Sequence, residues 1–398
     1  MTVPTDWFRS PPLRLAGVSS LLCFVTLDAQ EPTSGQLGRI GHARPGPWGN
    51  LEYTRIVIEP PDEFLAADYP PPYATIWRFP GYTPERLQTV WASAGLGWKQ
   101  LHALEVPGAI TVSPDGIEVR PPAELAERLS ADERGAIYRI LAGLPGNPYH
   151  QMPFRFRADL VDEWLDGADL PAPVIARIQE LLYYRGNSAL FSDLDLVLPL
   201  LRTAPERVRL IKTLARKSTL LLRLRVTPGS DVNALADYWG AGPRRKDVKP
   251  LLQSLTRHRE GITLDVAHLL PRFARGLLYT YPPRTEPLDP TLDCHWTSMN
   301  FFRDEPDPRF ADIEFLREAI KRDYAPVPDG KRQLGDLLIL TRPDGQIVHS
   351  CIHIADDIVF TKNGYSFQMP WVLNTLPDLR AAYPSDPPLL IHAFRRKR

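Results

Sequence analysis

Proline punctuates this chain so closely that long regular elements have little room. The 398 residues include 42 prolines, roughly twice the average usage of about 5%. Each one removes a backbone donor and fixes φ, so prolines end helices, avoid central strands and stiffen connections. The sequence therefore predicts short elements joined by extended segments, spread over two or three domains at about 100–200 residues each. Apolar material is sufficient for their cores: 43% of residues are hydrophobic and 10% aromatic, so disorder is not the default reading. Lys plus Arg equals Asp plus Glu, at 47 each. That balance offers no electrostatic footprint for nucleic acid or an anionic membrane. Three cysteines, Cys23, Cys294 and Cys351, are too few for a disulfide scaffold. No Cys-x-x-Cys occurs, which argues against structural zinc of the usual kind; no metal or cofactor is expected.

The N-terminus has the order of an export signal. Arg9 and Arg14 supply a basic region, and Leu15 to Leu27 is an apolar stretch of 13 residues. That is short of the roughly 20 residues that span a bilayer but suits a signal peptide's apolar region. Leu27-Asp28-Ala29 offers a cleavage tripeptide. The alternative is a buried N-terminal strand or helix. Leu22 ahead of Cys23 is not the small residue a lipoprotein anchor needs. The expectation is an exported, periplasmic or extracellular monomer with no membrane anchor and a signal peptide over residues 1–29.

Residues 30–50 are rich in Gly and Pro and read as a linker or irregular arm. LEYTRIVIEP alternates from Leu51 and predicts a strand. Thr83, Pro84 and Glu85 form a helix start, and Pro114-Asp115-Gly116 predicts a hairpin turn. From Leu129 the spacing is mostly helical, with Ser130 as a cap and PERVRLIKTLARKSTLLLRLRV reading as helix then strand. A Pro-rich break at residues 282–290 is taken as a domain boundary. The expected division is thus a mainly helical domain of unknown role over 30–285, with a short β-containing start, and a second domain over 286–398. In the latter, DCHWTSMNFF and RFADIEFLREAIKRDY predict helices. GDLLIL, IVHSCIHIAD and DIVFTKN predict strands separated by turns at Pro343-Asp344-Gly345 and Asp356-Asp357. A helix packed on an antiparallel sheet makes this part α+β.

The chemistry concentrates there. Asp293 is a good N-cap, placing Cys294 at the first helical position, where the helix dipole favours a thiolate. Thiol catalysis needs a sulfur pKa below about 8.5, and a nearby imidazole also helps. On the IVHSCIHIAD strand, His349, Cys351 and His353 share one face by the period of two, opposite Val348, Ile352 and Ile354.

Asp293-Cys294 opening a helix, Gly335-Asp336-Leu337-Leu338 entering a strand, and His349 through Ile354 on the next strand resemble the NlpC/P60 family of cell-wall peptidases. The similarity covers roughly residues 285–385, with 55 residues from cysteine to histidine. It implies a compact papain-like fold, Cys294 as nucleophile and His349 as general base. It also implies peptidoglycan stem peptides, cut near D-isoglutamyl bonds, as substrate. The family's third residue, which orients the base, falls near Thr361, Lys362 or Asn363. Thr361 aligns better by count, and Asn363 has the chemistry of a Cys-His-Asn triad. His295, Trp296 and His353 are candidate substrate-binding residues.

Blander readings of the same residues stand beside this one. Cys294 could be a small buried hydrophobe, or could join Cys351 in a disulfide. Cys351, His353 and Asp356 could ligate a metal. His295 and Trp296 follow the cysteine where the family has small residues, and Cys351 stands in place of a glycine. A non-catalytic relative that binds cell wall or protein is therefore the alternative function.

Overall fold

The computed structural model describes residues 38–65, 74–241, 244–283, 289, 291–328, 330–366, 368–383, 385 and 387–397. The expected signal peptide, its cleavage site and Cys23 lie outside these residues, as do residues 285 and 286. The chain mixes helices with antiparallel strands and divides into two compact units. The first unit takes the chain up to Ile58, then Lys217–Leu376 and Ser385–Arg398; the second takes Glu59–Arg216 and Pro377–Pro384. This partition differs from the one expected near residue 286. The prolines there interrupt the chain inside the first unit, because strands from early in the chain belong to the same unit as the C-terminal sheet.

In the first unit, β1 (Ile40–His42) and β2 (Asn50–Ile58) open the chain. The second unit follows. Trp77–Pro80 (β3), Ile110–Ser113 (β4) and Gly116–Val119 (β5) form a small sheet, with the expected hairpin closing at Ser113↔Gly116. Phe154–Arg157 (β6), Tyr183–Arg185 (β7) and Ser188–Phe191 (β8) form another. Helices Pro84–Ala94 and Ala131–Ala142 start where the caps predict. Thr83 accepts from Arg86 N–H, and Ser130 forms a capping box with Glu133. Between residues 38 and 283 the described residues carry ten strands as well as helices, so β structure extends well beyond the start of this stretch. Tyr183–Arg185, inside the stretch whose spacing is mostly helical, is instead the strand β7, which pairs with the neighbouring β8.

The first unit resumes with β9 (Lys217–Val226), the strand expected after a helix. It pairs along all nine residues of β2, from Asn50↔Arg225 to Ile58↔Lys217. β10 (Ile262–Asp265) completes the order β1-β2-β9-β10. A six-stranded antiparallel sheet follows: β11 (Tyr324–Pro326), β12 (Leu337–Thr341), β13 (Ile347–Ala355), β14 (Ile358–Lys362), β15 (Trp371–Thr375) and β16 (Leu390–Arg396), ordered β11-β16-β12-β13-β14-β15. The Thr219 hydroxyl joins the two sheets, accepting from Leu373 N–H at 3.0 Å and donating to Leu373 O at 3.1 Å. One apolar core holds Leu220, Leu222 and Leu224 of β9 with Trp296, Ile352, Ile354 and Phe360.

The Gly-Asp-Leu segment has a structural role. Gly335 sits at φ +88°, and a Cβ there would lie 2.1 Å from the Phe302 ring, so only glycine fits. Asp336 is buried and accepts from Gln333 N–H at 2.7 Å. Arg395 of β16 grips the same carboxylate with two bonds of 2.7 Å. This bidentate pair fixes the entry to β12.

Candidate functional site

The cysteine helix is short, Cys294–Met299, and Asp293 caps it by accepting from Trp296 N–H at 2.8 Å. Cys294 is therefore the first helical residue, as the sequence indicates. The helix is fastened to the sheet by polar contacts among small side chains. The Ser350 hydroxyl donates to Cys294 O at 3.2 Å and lies 2.6 Å from the Ser298 hydroxyl. His295 Nδ1 is 2.9 Å from the same Ser350 oxygen. On the next strands, Trp371 Nε1 donates to Thr297 Oγ1 at 2.9 Å. None of these anchors except His295 was singled out from the sequence.

Strand pairing decides what faces this helix. β13 and β14 pair at Ile352↔Phe360 and His353↔Val359, so Ile352 and Phe360 share the face that joins the core with Trp296. Alternation puts Ser350 and Lys362 on that face, and His349, Cys351, His353 and Thr361 on the other. Near the start of β13 the strands are linked by side chains: His349 Nε2 lies 2.9 Å from Thr361 Oγ1. Thr361, of the two third-residue candidates, is thus the one bonded to His349. Among the described residues, the buried Asn363 Oδ1 has no hydrogen-bond partner. Cys294 meets β13 at Ser350, whose backbone N–H is directed at the sulfur, and acts electrostatically on Cys351. His349 adjoins Ser350 in the chain and feels His295.

The electrostatics reverse the expected acidic thiol. Burial pushes Cys294 up to about 12, and the neighbouring Asp293 charge adds to this. The Ser350 N–H, the sulfur's own backbone N–H and Lys362 oppose the rise without overcoming it. The correction has a plain cause: the sulfur is taken out of water, and the residue that caps the helix also brings a carboxylate beside it. Asp293 itself is raised to about 6 by burial. Burial holds His349 well below the usual imidazole range and His295 down to about 4. At rest, cysteine and histidines are neutral.

The remaining candidates fall as follows. Trp296 packs in the core against Phe273 and Trp371, with ring centroids 5.1 and 6.4 Å away. His353 is buried, with Nε2 3.2 Å from Asp356 O and its ring 6.4 Å from Trp48. Cys294 and Cys351 are both free buried thiols, so the disulfide alternative does not form. Among the described residues, three metal-ligating atoms come within 4.8 Å of one another at Asp293, Cys294 and His295, a different group from Cys351, His353 and Asp356. Lys362, one of the three positions near the family's third residue, was not chosen from the sequence: it is fully buried, with Nζ donating to Gly364 O at 2.7 Å and Ser366 O at 3.0 Å.

Comparison with known proteins returns no family model, no curated protein and no solved structure that matches this chain. Among the described residues, no helix is long and apolar enough to cross a membrane.

Proposed function

We propose that the first unit is a cysteine hydrolase that cleaves amide bonds by acyl transfer, with peptidoglycan stem peptides as its substrate class and export as its route. One observation carries the reading: a capped helix begins at Cys294 and is held by Ser350 against the strand bearing the His349–Thr361 pair. The order of motifs that resembles the NlpC/P60 family supports it. In this reading His349, oriented by Thr361 and brought round to the Ser350 side of β13 where the helix lies, removes the thiol proton as the sulfur attacks the amide carbonyl carbon. The C–N bond then breaks, and the amine leaves with that proton. Water, deprotonated by the same imidazole, hydrolyses the thioester and restores the thiol. The backbone N–H of Cys294, at the helix start, is the proposed oxyanion donor.

A specific observation favours the second reading, a non-catalytic binding module: Cys294 is only 6% exposed and its thiol is pushed up to about 12. The two are separated by incubating the full chain and its Cys294→Ala variant with a D-isoglutamyl-containing stem peptide and following products by mass spectrometry. Turnover lost in Cys294→Ala supports the hydrolase. Equal turnover in both sinks it, and binding without turnover in either supports the module.

A further inference from the structure

The buried Lys362 ammonium is the charged group that the acyl-transfer reading leaves unused. A lysine taken wholly out of water is costly unless something uses or compensates its charge. Its stem ends β14 on the helix-facing side, the side of Ser350, and Ser350 is bonded to the Cys294 carbonyl. Two carbonyls, Gly364 O and Ser366 O, fix the ammonium, and the Trp371 ring lies 5.8 Å from it. Trp371 is in turn tied to the cysteine helix through Thr297. An ammonium has three donors, and among the described residues two carbonyl bonds leave a third N–H. The groups that act on it electrostatically are Cys294 and Asp293. The other titratable groups of the cluster, His295 on the helix and His349 on β13, are held neutral by burial.

We infer that Lys362 is a positioning residue of the site, a fixed positive charge against which the Cys294 sulfur ionises as it attacks. The inference rests on Cys294 being the reactive thiol. Asp293 competes for the same ammonium, and its charge is what the cap must tolerate for the lysine to serve the sulfur. Burial lowers Lys362 to about 8, so the ammonium is charged at neutral pH and is lost as pH rises beyond that value.

The test is the pH dependence of Cys294 alkylation by iodoacetamide, in a Cys23→Ser/Cys351→Ala background of the full chain. Lys362→Met is expected to slow the reaction at pH 7 by about tenfold or more, the change that one pKa unit produces. Lys362→Arg is expected to restore most of the rate. Superimposable profiles for wild type and Lys362→Met overturn the assignment, as does equal loss in Met and Arg variants, which marks a packing role. Should Lys362→Met not fold, a second measurement leaves the lysine in place. The alkylation rate of wild-type Cys294 is followed from pH 6 to pH 10. If the ammonium supports the thiolate, the rate rises with pH below about 8 and flattens as Lys362 loses its proton there, and an unbroken rise through that range overturns the proposal. A wild-type Cys294 that does not react at all contradicts the hydrolase reading itself. A reactive Cys294 indifferent to Lys362 removes only this assignment.

Discussion

In the second unit, the Arg134 guanidinium and Asp193 carboxylate are both buried and meet at 3.0 Å. Tyr138 donates to the same carboxylate, and Arg134 also reaches Ala126 O at 2.8 Å. In the first unit, Cys294, His295, His349 and Ser350 are also buried, as neutral groups, and the Lys362 ammonium is held by the carbonyls of Gly364 and Ser366. The first arrangement is closed: each charge is answered by an opposite charge beside it. The second is open, because its cation is held by carbonyl dipoles and its thiol and imidazoles keep the capacity to exchange protons. A buried cluster built for stability and one suited to chemistry differ in this residual capacity more than in burial or polarity.

The largest effect that would sharpen this contrast is acid lability. Burial lowers His295 and His353 to about 4 and His349 further. The unfolded chain binds protons near pH 6.5, but the folded chain refuses them until about pH 4. The stability from these neutral imidazoles is complete above about 6.5 and is lost as pH falls toward 4. It amounts to on the order of 5 kcal/mol for the pair near 4. Asp293, raised to about 6, works the other way, adding stability as pH falls through 6, and offsets part of this. The second unit holds His150, also lowered to about 4. Peptide-resolved hydrogen exchange at pH 7 and pH 4.5 should show β13 and β14 losing protection more steeply than β6 and β8. Equal loss would break the comparison.

Next comes Arg134→Met. It leaves Asp193 buried beside Tyr138 without its cation, a loss of about 3–5 kcal/mol. Adding Asp193→Leu should recover much of it, because apolar replacement of a whole buried pair is often neutral. Urea denaturation of the single and double variants checks this, and a double variant no better than the single would contradict the closed-cluster account.

A third and smaller effect concerns the turn into β12. Asp336→Ala removes the acceptor of Arg395 and of Gln333 N–H and should cost about 2 kcal/mol while leaving Cys294 alkylation unchanged at a temperature where the variant stays folded. Reactivity lost together with Asp336 would mean that this pair, too, belongs to the site.

How far the sequence reached follows from what each residue's role depends on. Asp293 at the helix start, Gly335 at a turn and the Pro114-Asp115-Gly116 hairpin are local decisions made within four residues, and the structure bears each one out. Cys294 and His349 carried chemistry by residue type and spacing. Ser350, Trp371 and Arg395 did not, because their roles appear only once antiparallel register brings distant positions together. Lys362 was visible only as a position near the family's third residue, and its role likewise waits on register. The same dependence explains the unit division. β2 and β9 are 159 residues apart at their closest paired ends, Ile58 and Lys217, with the Glu59–Arg216 part of the second unit between them. A break in composition near residue 286 says nothing of that pairing. The acidity of Cys294 was misjudged because spacing reveals a cap and a dipole but neither the burial nor the charge on the cap.

The smallest expected effect tests that last point. Asn caps as well as Asp, so Asp293→Asn should keep the helix, with a stability change below about 1 kcal/mol. It should move the alkylation midpoint of Cys294 downward, since the Asp293 charge is a cause of its rise. A midpoint that stays or climbs would show that burial alone sets the thiol.

The central claim is that Cys294 reacts through His349. Its most direct measurement is the alkylation rate of Cys294 at pH 7 in the Cys23→Ser/Cys351→Ala background, with and without His349→Ala, each shown to be folded by circular dichroism. The account predicts a loss of about 100-fold in the His349→Ala variant, the scale of a general base removed from its nucleophile. The same rate in both chains would contradict it.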